Sequence, residues 1–166
     1  GESMRSYNVP PDPLLYAFRT LSFQVSQARE DDRIAISYTP ALTQFKVVNQ
    51  LRPSNQSCDA WRKQIQFELV KQLGSVSAKS DQWEALFNGE FPSACKTIAY
   101  NVVALDANTF LTLGFAAAWE LAGGSWVKQP QGKSGEVPLF ARPLLEFQGG
   151  PLIHAVHDIN KFSNNV

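Results

Sequence analysis

The chain has 166 residues, the size of one domain that buries roughly 70% of the surface its unfolded form exposes, so it needs no metal or disulfide to fold. Lys plus Arg and Asp plus Glu are 15 each, a formal net charge of zero. The longest acidic run is Glu30-Asp31-Asp32, and this balance argues against a strong nucleic-acid-binding surface or a polybasic membrane contact. No apolar run approaches the roughly 18 to 20 residues of a membrane-spanning helix, and no signal peptide is visible. Charged residues are few, whereas Phe, Asn, Gln, Ser and Pro are plentiful. Such a composition suits a surface packed against neighbours.

Gly1-Glu2-Ser3-Met4 reads either as an expression scar or as an end left by a protease that cuts before glycine. Pro10-Pro11-Asp12-Pro13 makes residues 1–13 an extended lead-in. Leu21, Phe23 and Val25 then alternate with Ser22, Gln24 and Ser26, the period-2 pattern of a half-buried strand. Ile34, Ile36 and Tyr38 repeat it, and Phe45, Val47 and Leu51 suggest a third strand after Pro40. Between Trp61 and Leu73 two patterns compete. A helix aligns Trp61, Ile65, Leu69 and Leu73, with Ser57 as cap and Gly74 as stop. It also turns Phe67 about 200° away from Ile65, whereas a strand puts Ile65, Phe67 and Leu69 in one row. The strand is the better reading, preceded by a short helical turn from Cys58 to Trp61.

In the second half, Ser80 caps a short expected helix over residues 80–87, ended by Gly89. Thr97 to Leu105 and Thr109 to Trp119 read as two strands joined at Asp106-Ala107-Asn108. Leu111, Leu113, Phe115, Ala117 and Trp119 would then share one face, and Gly123-Gly124 closes the segment. Gln129 to Gly135 reads as a loop. Val137 to Phe147 reads as an edge or bulged strand because of Pro138 and Pro143, and Leu152 to Val156 adds one more. Residues 158–166 form a tail. The expected fold is a single all-β domain over 1–166: an antiparallel jelly-roll β-sandwich of seven or eight strands with one or two short helices.

Candidate chemistry is sparse. His154, His157 and Asp158 would stand at i, i+3 and i+4 on a helix, a workable zinc set. Pro151 before them and the apolar pairs Leu152-Ile153 and Ala155-Val156 favour a strand, on which the two histidines face opposite ways. Gly132-Lys133-Ser134 lacks the first P-loop glycine, because Val127 stands there, and Glu136 replaces the last glycine of G-x-S-x-G. No catalytic, cofactor-binding or metal residue is expected, and the chain is read as not an enzyme. An enzyme using the histidines is the outside possibility. Cys58 and Cys95 belong to no C-x-x-C pair and are read as small buried thiols, with one bridge as the alternative. Asn55-Gln56-Ser57 matches the glycosylation sequon, a pattern that often arises by chance.

The stretches Leu21 to Val25, Gln64 to Leu69, Thr97 to Leu105 with Thr109 to Trp119, and Leu139 to Phe147 resemble framework strands of a known family. Together with the glycine start and the lysine-poor composition, the chain resembles a coat protein of the picorna-like plant viruses, the secovirus type. The resemblance implies a jelly-roll capsid subunit located in the virion, with other coat subunits as partners and at most diffuse contact with genomic RNA. It implies no cofactor, no membrane and no small-molecule substrate. Many icosahedral coat proteins carry an Arg-rich amino-terminal arm; here only Arg5 precedes Arg19, as in the picorna-like group. A shell subunit spreads its function over interfaces, and Trp83, Phe87 or Trp126, in loop-rich apolar regions, is expected to lie partly exposed at a subunit boundary. The alternative is a monomeric, secreted α+β ligand- or protein-binding module with a Cys58–Cys95 disulfide, in which Cys58 to Leu73 is a helix.

Overall fold

Alternating side chains bury one face of a strand only if a second layer covers that face, and here two sheets cover each other. The computed structural model describes residues 15–27, 33–74, 81–128, 130–146 and 148–162. The chain divides into two compact units, Gly1–Gly132 and Lys133–Val166. All six strands found among the described residues belong to the first. They are β1 (Leu21–Gln27), β2 (Ile34–Thr39), β3 (Phe45–Ser54), β4 (Ile65–Gln72), β5 (Gln82–Pro92) and β6 (Thr97–Val102). One sheet has the order β2-β1-β6 and the other β3-β5-β4. The protein is thus mostly β, with helices α1 (Trp61–Gln64), α2 (Ala107–Leu121) and α3 (Leu152–Phe162).

Register explains the core. In the first sheet Phe23 lies between Tyr38 and Tyr100. In the second, Phe87 lies between Asn49 and Phe67. The two rows face each other: the Phe23 and Phe87 rings meet edge-on at 4.9 Å, and Phe67 reaches Phe23 and Tyr100 at 5.7 Å each. Leu21, Val25, Ala85 and Phe91 complete a fully buried centre. Two links close the sides. Asn49 Nδ2 donates to the Ile34 carbonyl at 2.7 Å, tying β3 to β2, and Trp61 packs on Tyr100 at 5.8 Å near β4 and β6. Burial raises the Tyr38 phenol above its ordinary value against a lowering contact from the Leu42 backbone, and raises Tyr100 against the charge of Arg62.

The stretch that divided helix from strand resolves as read. A 3-10 turn at Cys58–Ala60 and the single turn of α1 lead into β4, where Ile65 is buried and Phe67 and Leu69 are half-buried against the core. The helix over Cys58 to Leu73 in the alternative module is therefore overturned beyond its first turns. Sheet β2-β1-β6 is antiparallel, as expected, but β3 and β5 run parallel, because β5 inserts between β3 and β4.

Four expected elements are corrected. Residues 82–87 belong to a strand instead of a helix: Ala85, Phe87 and Phe91 recur at even spacing and are fully buried, and β5 is hydrogen-bonded on both sides. Its expected cap, Ser80, lies outside the described residues, as do residues 1–13 and 163–166. Thr109 to Trp119 is helical, because Phe110, Leu113, Gly114 and Ala116 are the buried set, a period near 3.6 that no strand satisfies. No strand forms among the described residues of 137–147. Leu152 to Val156 begins α3, which continues through Phe162 where a tail was expected from residue 158. The thiol reading of the cysteines is also overturned. Cys58 and Cys95 form a disulfide with Cα atoms 5.0 Å apart. Parallel β3 and β5 end side by side at Ser54 and Pro92, so the segments leaving them carry the two cysteines together. Closing a loop of 37 residues stabilises by about 4 kcal/mol in the chain-entropy model.

Gly89 sits within β5 at φ +104°, and a Cβ there would collide with the Gln64 backbone carbonyl. Gly89→Ala should destabilise the fold by at least the roughly 1–3 kcal/mol of a strained backbone, read as a lowered urea midpoint. Phe87→Ala should cost about 3–5 kcal/mol, the range for a buried phenylalanine. A Phe87→Ala chain with unchanged stability would contradict the face-to-face core.

Candidate functional site

Helix α2 starts where the chain leaves β6, and its two ends decide which side chains face outward. Asp106 is the N-cap: its Oδ1 accepts from the Thr109 N–H at 3.0 Å. Burial raises the Asp106 carboxyl, but hydrogen bonds from the Thr109 hydroxyl and from the backbone at Thr109, Asn108 and Asp106 outweigh it, leaving it below its ordinary value of 3.8. The inner face is held by Phe110, Leu113, Gly114 and Ala116. Gly114 leaves room for the Tyr16 ring, which also packs on Phe110 at 5.7 Å. Arg19 donates to the Leu105 carbonyl at 3.0 Å, and the Thr43 N–H donates to the Leu113 carbonyl at 3.2 Å.

With that face committed, Phe115 and Trp119, one turn apart, are left on the outside. The helix ends in a Schellman motif. Gly123 takes φ +88°, its N–H donates to Glu120, and the Gly124 N–H donates to Trp119 at 2.9 Å. The chain then folds back along the helix. Trp119 Nε1 donates to the Ser125 carbonyl at 3.2 Å, and Gly124 lies so close to the Trp119 indole that a Cβ there would overlap it. Trp126 consequently meets Trp119 at 5.8 Å and Phe115 at 6.2 Å. The result is a surface patch of three aromatic rings, with Phe115 59% and Trp119 46% exposed. Its backbone is anchored by three hydrogen bonds and by the close approach of Gly124 to the indole.

The three expected boundary residues are scattered. Trp126 is half-buried within the patch. Phe87 is at the centre of the core with no surface to offer, so its expected partial exposure is corrected. Trp83 opens β5, half-buried, with Lys71 Nζ 5.8 Å over its ring. The reading of residues 109–119 as a strand put Phe115 and Trp119 on one face with Leu111, Leu113 and Ala117 and missed them as a surface pair. Their i, i+4 spacing ahead of Gly123-Gly124 was the available signal.

The remaining candidates lie elsewhere. On α3 the histidines stand at i and i+3, on neighbouring positions instead of the opposite faces of a strand. The His154 N–H donates to the Pro151 carbonyl at 2.9 Å in the first turn, and both side chains are exposed. No group of three or more His, Cys, Asp or Glu side chains suited to a metal occurs among the described residues. The Gly132-Lys133-Ser134 stretch is irregular, with Gly132 packed against Thr112 of α2. Asn55 is exposed in the turn after β3, while Ser57 Oγ accepts from the Asp59 N–H at 3.4 Å to cap the 3-10 turn.

A scan against protein-family models finds no match, and a search of curated proteins finds none either.

The cap that starts α2 is testable. Asp106→Ala should cost about 1 kcal/mol and Asp106→Asn less, measured by thermal unfolding at neutral pH. Because the folded carboxyl is depressed, its contribution is present above the ordinary value and is lost as pH falls through the folded one. The stability gap between the parent chain and Asp106→Ala should therefore narrow in acid. A gap independent of pH would remove the charge from the account.

Proposed function

We propose that this chain is a non-enzymatic, protein-binding module of an oxidising compartment, and that it meets its partner through the Phe115–Trp119–Trp126 patch. The observation that carries the reading is the patch itself. Large aromatic side chains held on an ordered backbone lose little conformational entropy on binding, and they are enriched among the residues that dominate interface energies. The Cys58–Cys95 bridge supports the compartment, since disulfides persist outside reducing cytosol.

A second reading, the coat subunit, is favoured by one observation: the second unit also exposes large apolar side chains, among them Val137, Leu139 and Phe140. A shell subunit has several neighbours and several such surfaces. In that reading the two sheets belong to a jelly roll, the partner on the patch is another coat subunit, and the location is the virion.

Both readings are separated by a photo-crosslinking residue placed at Phe115, with a control at Gln24, an exposed position of β1. In material from the natural source, position 115 should crosslink strongly to one protein of different sequence, and position 24 should not. Crosslinks from 115 to the chain's own peptides would favour the coat subunit. With the partner in hand, Trp119→Ala should weaken binding by about 2 kcal/mol or more, the threshold of a hot spot. Equal crosslinking at 115 and 24 would sink the patch as an interface.

A further inference from the structure

Asn55-Gln56-Ser57 is the one match to the N-glycosylation sequon in the sequence, and its middle residue is not proline. Chance supplies such triplets often, so the pattern alone carries little. Its place in the fold carries more. The triplet forms the link between β3 and the 3-10 turn at Cys58–Ala60, outside both sheets. All three residues are exposed. Gln56 Nε2 donates to the Glu90 carboxylate at 3.0 Å, which ties the link to β5 while Asn55 stays open to solvent.

The residue after the triplet is Cys58, one half of the bridge to Cys95. N-linked glycans are added in the lumen of the secretory pathway, which is also where such a bridge forms and persists. The motif and the disulfide are two separate marks of one compartment, and they stand side by side. The position also leaves the aromatic patch accessible. The ten residues of β3, at about 3.3 Å each, lie between Asn55 and the point where the Thr43 N–H meets the Leu113 carbonyl of α2. A bulky group on Asn55 therefore stands at the opposite end of β3 from that contact.

Building on the oxidising-compartment reading, we propose that Asn55 carries an N-linked glycan, transferred before the Ser57 cap and the disulfide close. In the transfer, Asn55 Nδ2 bonds to the anomeric carbon of an oligosaccharide supplied as a lipid pyrophosphate. The bond from that carbon to the phosphate oxygen breaks, the lipid pyrophosphate leaves with the electron pair, and the Nδ2 proton passes to a base of the transferase. Nothing is oxidised or reduced. The order follows from the folded geometry. A transferase reads the hydroxyl at the third position of the triplet, and the folded chain has already committed it. Ser57 Oγ donates to the Asp59 carboxylate at 2.8 Å and accepts from the Asp59 N–H at 3.4 Å. Cys95 lies 37 residues beyond Cys58, a length that synthesis at roughly 5–20 residues per second covers in about 2 to 7 s. During that interval the triplet is present and the partner of Cys58 is not.

The test uses the full chain, secreted from cultured animal cells behind a cleavable leader. An amidase that releases N-linked glycans should lower its mass and convert Asn55 to aspartate in the peptide map. Ser57→Thr should keep the glycan, whereas Asn55→Gln and Ser57→Ala should lose it. Retained and secreted chains are both read, so that poor secretion of a variant does not hide the result. For the order, purified transferase with its lipid donor should leave the folded, bridged, glycan-free chain unmodified and should modify the same chain once reduced and unfolded. Equal modification of the two overturns the order. A bridged chain whose Asn55 is bare, from these cells or from the natural source, overturns the glycan and leaves the compartment reading standing. A natural chain with both thiols free and Asn55 bare removes the compartment reading, and the glycan with it.

Discussion

The edge-on contact between Phe23 and Phe87 is the constraint on which the rest of the molecule depends. Each ring is the middle of a three-residue row across its own sheet, so their contact sets both the separation of the sheets and their alignment. Tyr38 and Tyr100 flank Phe23, while Asn49 and Phe67 flank Phe87. A one-residue slip in either central strand would turn its ring out to solvent and leave the other unpaired. The same demand places β5 between β3 and β4. A strand carrying Ala85, Phe87 and Phe91 on its inner face needs neighbours on both edges, because its backbone groups are too deep to bond to water.

That arrangement propagates outward through close approaches. Parallel pairing of β3 with β5 brings their exits together, and the disulfide crosses there. Gly89 lets the chain before β4 lie against β5, and Gly114 lets Tyr16 lie against α2. With the inner face of α2 committed to the core and to Tyr16, its outer face cannot also be buried in the same layer. The aromatic patch is thus a geometric consequence of packing one helix beside a two-layer sandwich. What makes it more than an accident is the Schellman turn, which brings Trp126 back to meet Trp119 and Phe115.

On the proposed reading, function lies in surfaces. The first unit exposes a small, ordered cluster of aromatic rings; among its described residues the second exposes a longer apolar stretch that includes α3. An aromatic cluster held on an ordered backbone is the kind of surface that the proposed protein partner would meet through shape complementarity.

Sequence alone determined the parts of the fold where one pattern had no rival or a single residue broke the tie. Strands β1 and β2 were legible because their alternation is strict, β3 because Phe45, Val47 and Leu51 keep the alternation apart from Asn49, and β4 because only a strand buries Phe67 beside Ile65. Where two periods fitted and no single residue broke the tie, local pattern chose wrongly. Residues 82–87 satisfy a short helix as well as a strand, and only the neighbours β3 and β4, distant in sequence, make the extended form the one with paired backbone groups. In residues 109–119 apolar side chains occupy both alternate positions and helical ones. The choice fell to tertiary packing, in which Phe110, Leu113 and Gly114 meet the core and Tyr16 while the Asp106 cap secures the first turn. The aromatic patch was illegible for the same reason, since its outward face exists only once the helix does. Whether Cys58 and Cys95 could meet was likewise undecidable from their spacing, because a parallel strand pair brings them within reach and nothing local specifies that pairing.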